Sequence, residues 1–274
     1  MAAITKKEQL SPDVFRLKLA APLASRNAQP GQFLILRTHE GGERIPLTIA
    51  DRDAEGVTIV VQRIGASTQR LCAMAVGEQV ADVLAPLGVP SHLERFGTVA
   101  LVGGGVGIAV IWPLVKPLKA LGNKVVAIIG ARSESLLLYR QELEAACDQL
   151  LVTTDDGSAG RKGFVSDALK DLCASEKVGH VFQAGPPMMM RAVAEATRPL
   201  GVPTTASLNA LMLDGTGMCG MCRVSVGGET RFTCVDGPDF DAHKVDFGEL
   251  IQRLAGFKDL EKVAVERCAR HANP

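Results

Sequence analysis

VALVGGGVGIAVIWPLV, residues Val99 to Val115, is the longest uncharged apolar run in the chain. Its 17 residues include four glycines and Pro113, which makes it a poor membrane span. The run reads instead as a buried strand, a glycine turn and the start of a helix. Such a turn brings backbone amides at a helix N-terminus within reach of a pyrophosphate, where the helix dipole favours negative charge. It is not the full GxGxxG fingerprint, because Ile108 stands where the third glycine would fall. A tight strand–helix connection uses the same residues, so the run predicts a fold before it predicts a ligand.

Downstream, strands and helices alternate: KVVAIIGAR, SESLLLYRQELEAACD, QLLVTTDDG, FVSDALKDLCA, HVFQAGPP and MMMRAVAEATRPLG. That alternation predicts right-handed crossovers and a parallel sheet. Gly130-Ala131-Arg132, Asp155-Asp156-Gly157 and Gly185-Pro186-Pro187-Met188 all fall at carboxyl ends of predicted strands, the edge at which open α/β sheets bind ligands. Upstream, DVFRLKLA, GQFLILRT, GVTIVVQRI and GEQVADVLA are short runs bounded by Gly, Pro or Asp. No long helical pattern interrupts them, as expected of an all-β barrel. The predicted fold is a β-barrel over residues 1–96, a parallel α/β domain over 97–204, and a small cysteine-bearing module over 205–274. The module has a hairpin turning at Gly227-Gly228 and a closing polar helix.

The 274 residues carry 30 basic and 30 acidic side chains, interspersed. This excludes a polybasic surface for nucleic acid or anionic lipid. One Trp and one Tyr argue against a base-stacking platform. Seven cysteines are an odd number, and Cys72, Cys147, Cys173 and Cys268 are scattered. No signal peptide opens the sequence, so a reducing cytoplasm is expected.

LDGTGMCGMCRVSV, Leu213 to Val226, spaces Asp214, Cys219, Cys222 and the later Cys234 as D-x4-C-x2-C-x11-C. Plant-type [2Fe–2S] proteins use C-x4-C-x2-C and a distant fourth cysteine; here aspartate replaces the first. Glycines suit a loop whose amides approach a cluster. Zinc is the rival, since His243 could complete a Cys3His set, and a metal-free turn is the third reading. In the barrel, ERIPLTI places Arg44 near Thr48, and IGASTQRL places Gly65 before Ser67 and Thr68. An arginine fork with hydroxyl donors can grip a diphosphate; an ordinary surface arginine and turn would look the same.

Taken in order, PGQFLILR, ERIPLTI, IGASTQRL, APLGVPSHL, LVGGGVG, GARSE, TDDGSAGRKGFVSDAL, AGPPMMM, LDGTGMCGMCRVSVGG and CVDGPDF resemble one branch of the ferredoxin–NADP reductase superfamily. That branch comprises electron-transfer subunits of the dihydroorotate dehydrogenase type. The likeness is greater to small subunits of NADH-dependent ferredoxin:NADP oxidoreductases and to sulfide dehydrogenase beta subunits. The resemblance implies FAD in the barrel, with Arg44 at its pyrophosphate and Pro46, Leu47 and Thr48 along the isoalloxazine. Val61, Gln62, Gly65, Ser67 and Thr68 would supply ribityl and phosphate contacts. NAD(H) would lie over Gly104, Gly105 and Gly107, with Arg132 and Asp155 near its adenosine half and Gly185, Pro186 and Met188 near its nicotinamide.

Asp214, Cys219, Cys222 and Cys234 would hold the [2Fe–2S] cluster, and Asp214 favours the NADH-dependent ferredoxin:NADP oxidoreductase group. The resemblance further implies a heterodimer with a larger flavin and [4Fe–4S] subunit that carries out electron bifurcation. No acid–base residue is expected, the histidines being surface or structural. Sulfide or dihydroorotate chemistry, or a redox-sensing scaffold, are the alternatives.

Overall fold

The computed structural model describes residues 1–272, and side chains as far as Arg267. Cys268 and His271 lie outside the described side chains, and residues 273–274 of the expected third module lie outside the described residues.

The first unit contains β1 (Ala2–Ser11), β2 (Val14–Leu19), α1 (Pro22–Asn27), β3 (Phe33–Arg37), β4 (Arg44–Asp53), β5 (Gly56–Gln62), α2 (Ala66–Ala73), β6 (Gln79–Val80) and β7 (Asp82–Leu87). Its seven strands form one antiparallel sheet in the order β6-β1-β2-β5-β4-β3-β7. Period-2 alternation turns Leu17, Leu19, Leu34, Leu36, Ile59 and Val61 inward, each fully buried. The two short helices depart from the all-strand expectation. Pro22 at the first turn starts one. The other forms where Thr68 closes the Gly65 turn: its Oγ1 accepts from the amides of Ile64 (3.1 Å) and Gly65 (3.0 Å).

The second unit contains β8 (Thr98–Gly104), α3 (Ile108–Ala120), β9 (Lys124–Ala131), α4 (Arg140–Ala146), β10 (Gln149–Thr154), β11 (Arg161–Lys162), α5 (Val165–Ser175), β12 (Val178–Ala184), α6 (Pro187–Thr197) and β13 (Thr204–Ser207). The remaining elements are β14 (Arg223–Val226), β15 (Glu229–Phe232), β16 (Asp239–Asp241), α7 (Phe247–Ala255) and α8 (Lys258–Ala272). The second sheet runs β11-β10-β9-β8-β12-β13-β16, parallel except for β16. The sequence alone did not reveal that β13 and β16, which flank the cysteine loop, extend this sheet. The loop is therefore tethered at both ends to its edge. Helix α3 keeps Pro113 and Pro117 in its interior because Ile108, Ile111, Leu114, Val115 and Leu118 on its inner face are all buried.

The units share cores. Val14, Ala50 and Val60 of the barrel pack with Ile108, Ile111 and Leu138 of the α/β unit. Phe33 and Ile35 pack with Met212, Cys222 and Cys234. Arg16 lies over the Tyr139 ring (4.9 Å) and bonds Glu142 (3.1 Å), while Ser91 Oγ donates to Asp239 Oδ2 at 2.5 Å. Continuous apolar contact across both junctions holds the three parts in fixed relation.

His180 on β12 sits between Phe96 (4.4 Å) and Phe182 (4.5 Å), with Nε2 against Thr205 Oγ1 at 2.9 Å. Burial pushes it down from 6.5 to about 4. The unfolded chain therefore binds more protons between these values, and stability falls as pH drops through that window, by up to about 3 kcal/mol. His180→Phe is expected to remove most of that loss, read as urea midpoints at pH 6.5 and pH 4.5.

Candidate functional site

A single cleft of about 1350 Å³ opens where the three parts meet. From the barrel it is lined by Arg44, Pro46, Leu47 and Thr48 of β4, Gln62 of β5, and Gly65, Ser67 and Thr68 at the start of α2. From the α/β unit come Gly104, Gly105, Gly107, Arg132, Asp155, Gly185, Pro186 and Met188. Every one of these is a residue picked out in the sequence. Val61 is not on this surface: β5 alternates, so Gln62 faces the cleft while the Val61 side chain fills the barrel core.

The polar groups differ in availability. The side chains of Arg44 and Arg132 make no hydrogen bond or ion pair among the described residues, so two guanidinium groups line the cleft, one from each unit. Thr68 is engaged in closing its turn, and Ser67 Oγ donates to Glu43 Oε2 at 2.7 Å. Beyond the end of β9, Glu134 pairs with Arg140 (2.8 Å) in a solvent-exposed ion pair.

The turn read first has a definite geometry. Gly103 and Gly104 end β8, Gly105 to Gly107 form a single 3-10 turn, and α3 starts at Ile108. Gly105 has φ +55. A Cβ on Gly107 would lie 2.2 Å from the Ala184 carbonyl oxygen and 2.7 Å from Gly185 Cα. Gly107 thus supplies the close helix–strand approach that the missing third glycine of GxGxxG would provide. Four residues of this turn, Gly104 to Gly107, line the cleft.

The cysteine loop borders the same cleft. Leu213, next to Asp214, and Met221, next to Cys222, both line it. Gly215, Gly217 and Gly220 have φ of +75, +82 and +65, a backbone region that non-glycine residues rarely adopt. A Cβ on Gly215 would stand 2.8 Å from both Ile35 and Leu87, so the loop also presses on the barrel. Cys222 and Cys234 are buried with their Sγ atoms 3.2 Å apart. Burial and Cys222 push Cys234 up to about 12, opposed by an amide bond from Gly217. The exposed Cys219 donates its amide to Asp214 Oδ2 (2.8 Å), and Thr216 donates to Oδ1 (2.8 Å); Thr216 foremost, these amides lower the Asp214 pKa.

Cys222 and Cys234 thus stand as a pair of thiols, while the Asp214 carboxylate is tied to the backbone amide of Cys219. Among the described residues no three His, Cys, Asp or Glu side chains converge on one metal-sized point, for zinc or for iron alike. His243, the fourth ligand of the zinc reading, is instead bonded through Nε2 to Thr197 Oγ1 at 2.9 Å. A two-iron cluster takes its ligands iron by iron, and the Cys222–Cys234 pair suits one iron of it.

Sequence reading missed the segment Ser207 to Met212, which lines the cleft between β13 and the cysteine loop, and a face of α8 at Phe257, Leu260, Glu261 and Ala264. The apolar run ALML before Asp214 was the available signal for the first. Nothing local marks the second. No helix among the described residues is long and apolar enough to cross a membrane.

Residues 209–246 match the iron–sulfur cluster binding domain of dihydroorotate dehydrogenase B, and residues 101–195 match the oxidoreductase NAD-binding domain. A Thermotoga maritima protein described as a homolog of the dihydroorotate dehydrogenase B (NAD(+)) electron transfer subunit is 46% identical over 271 residues, 98% of this chain and 96% of that protein. The Shouchella clausii dihydroorotate dehydrogenase B (NAD(+)) electron transfer subunit is 34% identical, covering 88% of this chain and 96% of its own. A chain from a solved structure of NADH-dependent reduced ferredoxin-NADP oxidoreductase, described in connection with flavin-based electron bifurcation, superposes with a TM-score of 0.93 at 44% identity, covering 97% of each. Phthalate dioxygenase reductase shares the fold at 18% identity and a TM-score of 0.61, over 82% of this chain and 85% of that one. With its barrel, NAD-binding domain and iron–sulfur domain in this order, the chain belongs to the family of dihydroorotate dehydrogenase B-type electron-transfer subunits, oxidoreductase subunits with the ferredoxin-reductase fold.

Proposed function

We propose that this chain relays electrons between NAD(H), FAD and a [2Fe–2S] cluster, to or from a larger flavin and [4Fe–4S] subunit of an electron-bifurcating NADH-dependent ferredoxin:NADP oxidoreductase. One observation carries the reading: Arg44 to Thr48, Gly104 to Gly107, and the neighbours of two cluster residues, Leu213 and Met221, line one continuous cleft. Its volume of about 1350 Å³ exceeds the roughly 300–1,000 Å³ of common ligand pockets, as two dinucleotides meeting in one space require. When bound, the flavin couples two-electron exchange with nicotinamide to one-electron exchange with the cluster.

The chain's own residues hold and orient. In this reading residues 1–96 hold FAD, 97–204 hold NAD(H) and 205–274 hold the cluster. Arg44 provides a charge-assisted grip on the FAD pyrophosphate, with Pro46, Leu47, Thr48, Gln62, Gly65 and Ser67 along the flavin, Thr68 shaping the turn, and Val61 acting only through its backbone. The amides of Gly104, Gly105 and Gly107 at the start of α3 face the NAD(H) pyrophosphate; Arg132 and Asp155 meet its adenosine half, and Gly185, Pro186 and Met188 its nicotinamide. Asp214, Cys219, Cys222 and Cys234 would hold the cluster. Six cysteines stand free among the described residues, in keeping with a reducing cytoplasm.

The Asp214 position and the full-length likeness to the NADH-dependent ferredoxin-NADP oxidoreductase chain favour this complex over a sulfide or dihydroorotate enzyme. NADH-driven reduction of an artificial dye by the FAD-loaded chain tests it; a scaffold would show none. Arg44→Ala is expected to weaken FAD binding about 10- to 100-fold, since a hydrogen bond to a charged group contributes about 1.5–3 kcal/mol. Purification of the native complex should bring down a subunit with its own flavin and [4Fe–4S] centres. A dihydroorotate dehydrogenase catalytic subunit in its place would overturn the choice.

A further inference from the structure

Helix α8 is the part of the cleft wall that sequence reasoning missed, and its placement needs explaining. Phe257, Leu260, Glu261 and Ala264 line the cleft. Leu260, Glu261 and Ala264 share one face of α8, and Phe257 stands in the turn just before it. Leu260 is 66% exposed and Phe257 41%, although both face a cavity. Polar side chains such as Lys258, Asp259 and Lys262 occupy other positions, with Lys262 and Asp259 paired at 3.6 Å. Leu260, and to a lesser degree Phe257, thus present apolar surface at the cleft that protein atoms only partly cover.

The helix is well anchored at its start. Helix α7 buries Phe247 and Leu250, its Asp246 cap accepts from Glu249 N at 2.9 Å, and Arg253 donates to the Met221 carbonyl at 2.9 Å. From there the chain turns at Gly256 and α8 reaches the barrel beside α2, whose N-terminal turn holds Gly65 and Ser67 on the cleft wall. The helix therefore bridges from the cysteine module to the flavin side of the cleft.

We propose that α8 is a flavin-retaining strap: its face at Phe257, Leu260 and Ala264 covers bound FAD beside α2, and Glu261 accepts a hydrogen bond from an adenosine hydroxyl or amino group. The proposal rests on the reading that the barrel holds FAD. The Glu261 carboxylate makes no hydrogen bond or ion pair among the described residues. A carboxylate is suited to neutral donors such as ribose hydroxyls and unsuited to the pyrophosphate, which Arg44 serves across the cleft. Covering apolar surface that water otherwise touches is favourable and slows ligand escape.

The test uses the full chain, a chain ending at Gly256, and Leu260→Asp, each loaded with FAD. Release is followed by recovery of flavin fluorescence after dilution into an apoflavoprotein trap. Hydrogen exchange over residues 257–267 is measured with and without FAD. Because Leu260 is mostly exposed, its substitution leaves the fold intact even where the truncation does not. The strap predicts at least tenfold faster FAD release from both variants, and FAD-dependent protection of 257–267 in the full chain. Equal release rates with unchanged exchange overturn the strap while leaving the flavin reading in place. Protection that appears only with a second protein subunit also overturns it. Failure of the full chain to take up FAD at all overturns the flavin reading, and the strap with it.

Discussion

Cys222→Ala is expected to abolish the visible absorption and the reduced electron-paramagnetic signal of the proposed cluster, while NADH-driven dye reduction through the flavin continues near its original rate. Cys222 is 1% exposed and its partner Cys234 2%, so no water or surface side chain can take the vacated place. Loss of groups one shell outside a metal's ligands typically costs about 10–100-fold in affinity; loss of a ligand from a buried pair costs at least the upper figure. Electron delivery to the partner subunit, measured in the reconstituted complex, should fall by the same factor or more. The dye activity is the control: its loss would show that the variant had disturbed the shared core of Phe33, Ile35 and Cys222 rather than the cluster alone. A variant that kept full cluster absorbance would remove Cys222 from the ligand set.

Gly107→Ala is the second large effect. The added methyl would meet the Ala184 carbonyl oxygen at 2.2 Å, its carbon at 2.5 Å and Gly185 Cα at 2.7 Å. All three are backbone atoms, so no side chain can rotate out of the way, and β12 must move relative to α3. Forced overpacking of this kind costs about 1–3 kcal/mol or more. The shift falls at the ends of β8 and β12, where the amides at the start of α3 and the Gly185-Pro186 turn line the cleft. NADH binding should weaken at least tenfold. FAD content should fall far less than NADH affinity, because Arg44 and the start of α2 belong to the barrel unit and not to the strand ends that the methyl displaces. A titration of flavin reduction by NADH reads the first effect and protein-bound flavin absorbance the second. Normal NADH affinity would show that this turn does not hold the nicotinamide cofactor.

Much of the molecule was legible along the chain because its signals are local. Strand–turn–helix alternation after Val99 marked the parallel sheet, since a buried parallel strand is apolar on both faces and its crossover helix has its own period. Short alternating runs before it marked the barrel. The glycines around Cys219 and Cys222 advertised a loop bent around something, and sixteen of the seventeen cofactor residues read from the sequence, all but Val61, line the cleft.

Other features depend on pairings between distant residues. β13 and β16 are three to four residues long, too short to show a period, and join the sheet only through hydrogen bonds to each other and to β12. The difference between Val61 and Gln62 lies in which face of β5 meets the core, which one-dimensional spacing leaves open by one residue. His243 was a plausible ligand by spacing until the fold turned it toward Thr197. The C-terminal stretch reads as one polar helix, yet Gly256 breaks it and the second half returns to the barrel. In each case local backbone preference was set by nearby residues, while the partner was chosen by contacts across the fold. Sequence by itself determined the three-part order and the chemistry on offer; only the tertiary structure decided that the three parts share one cleft.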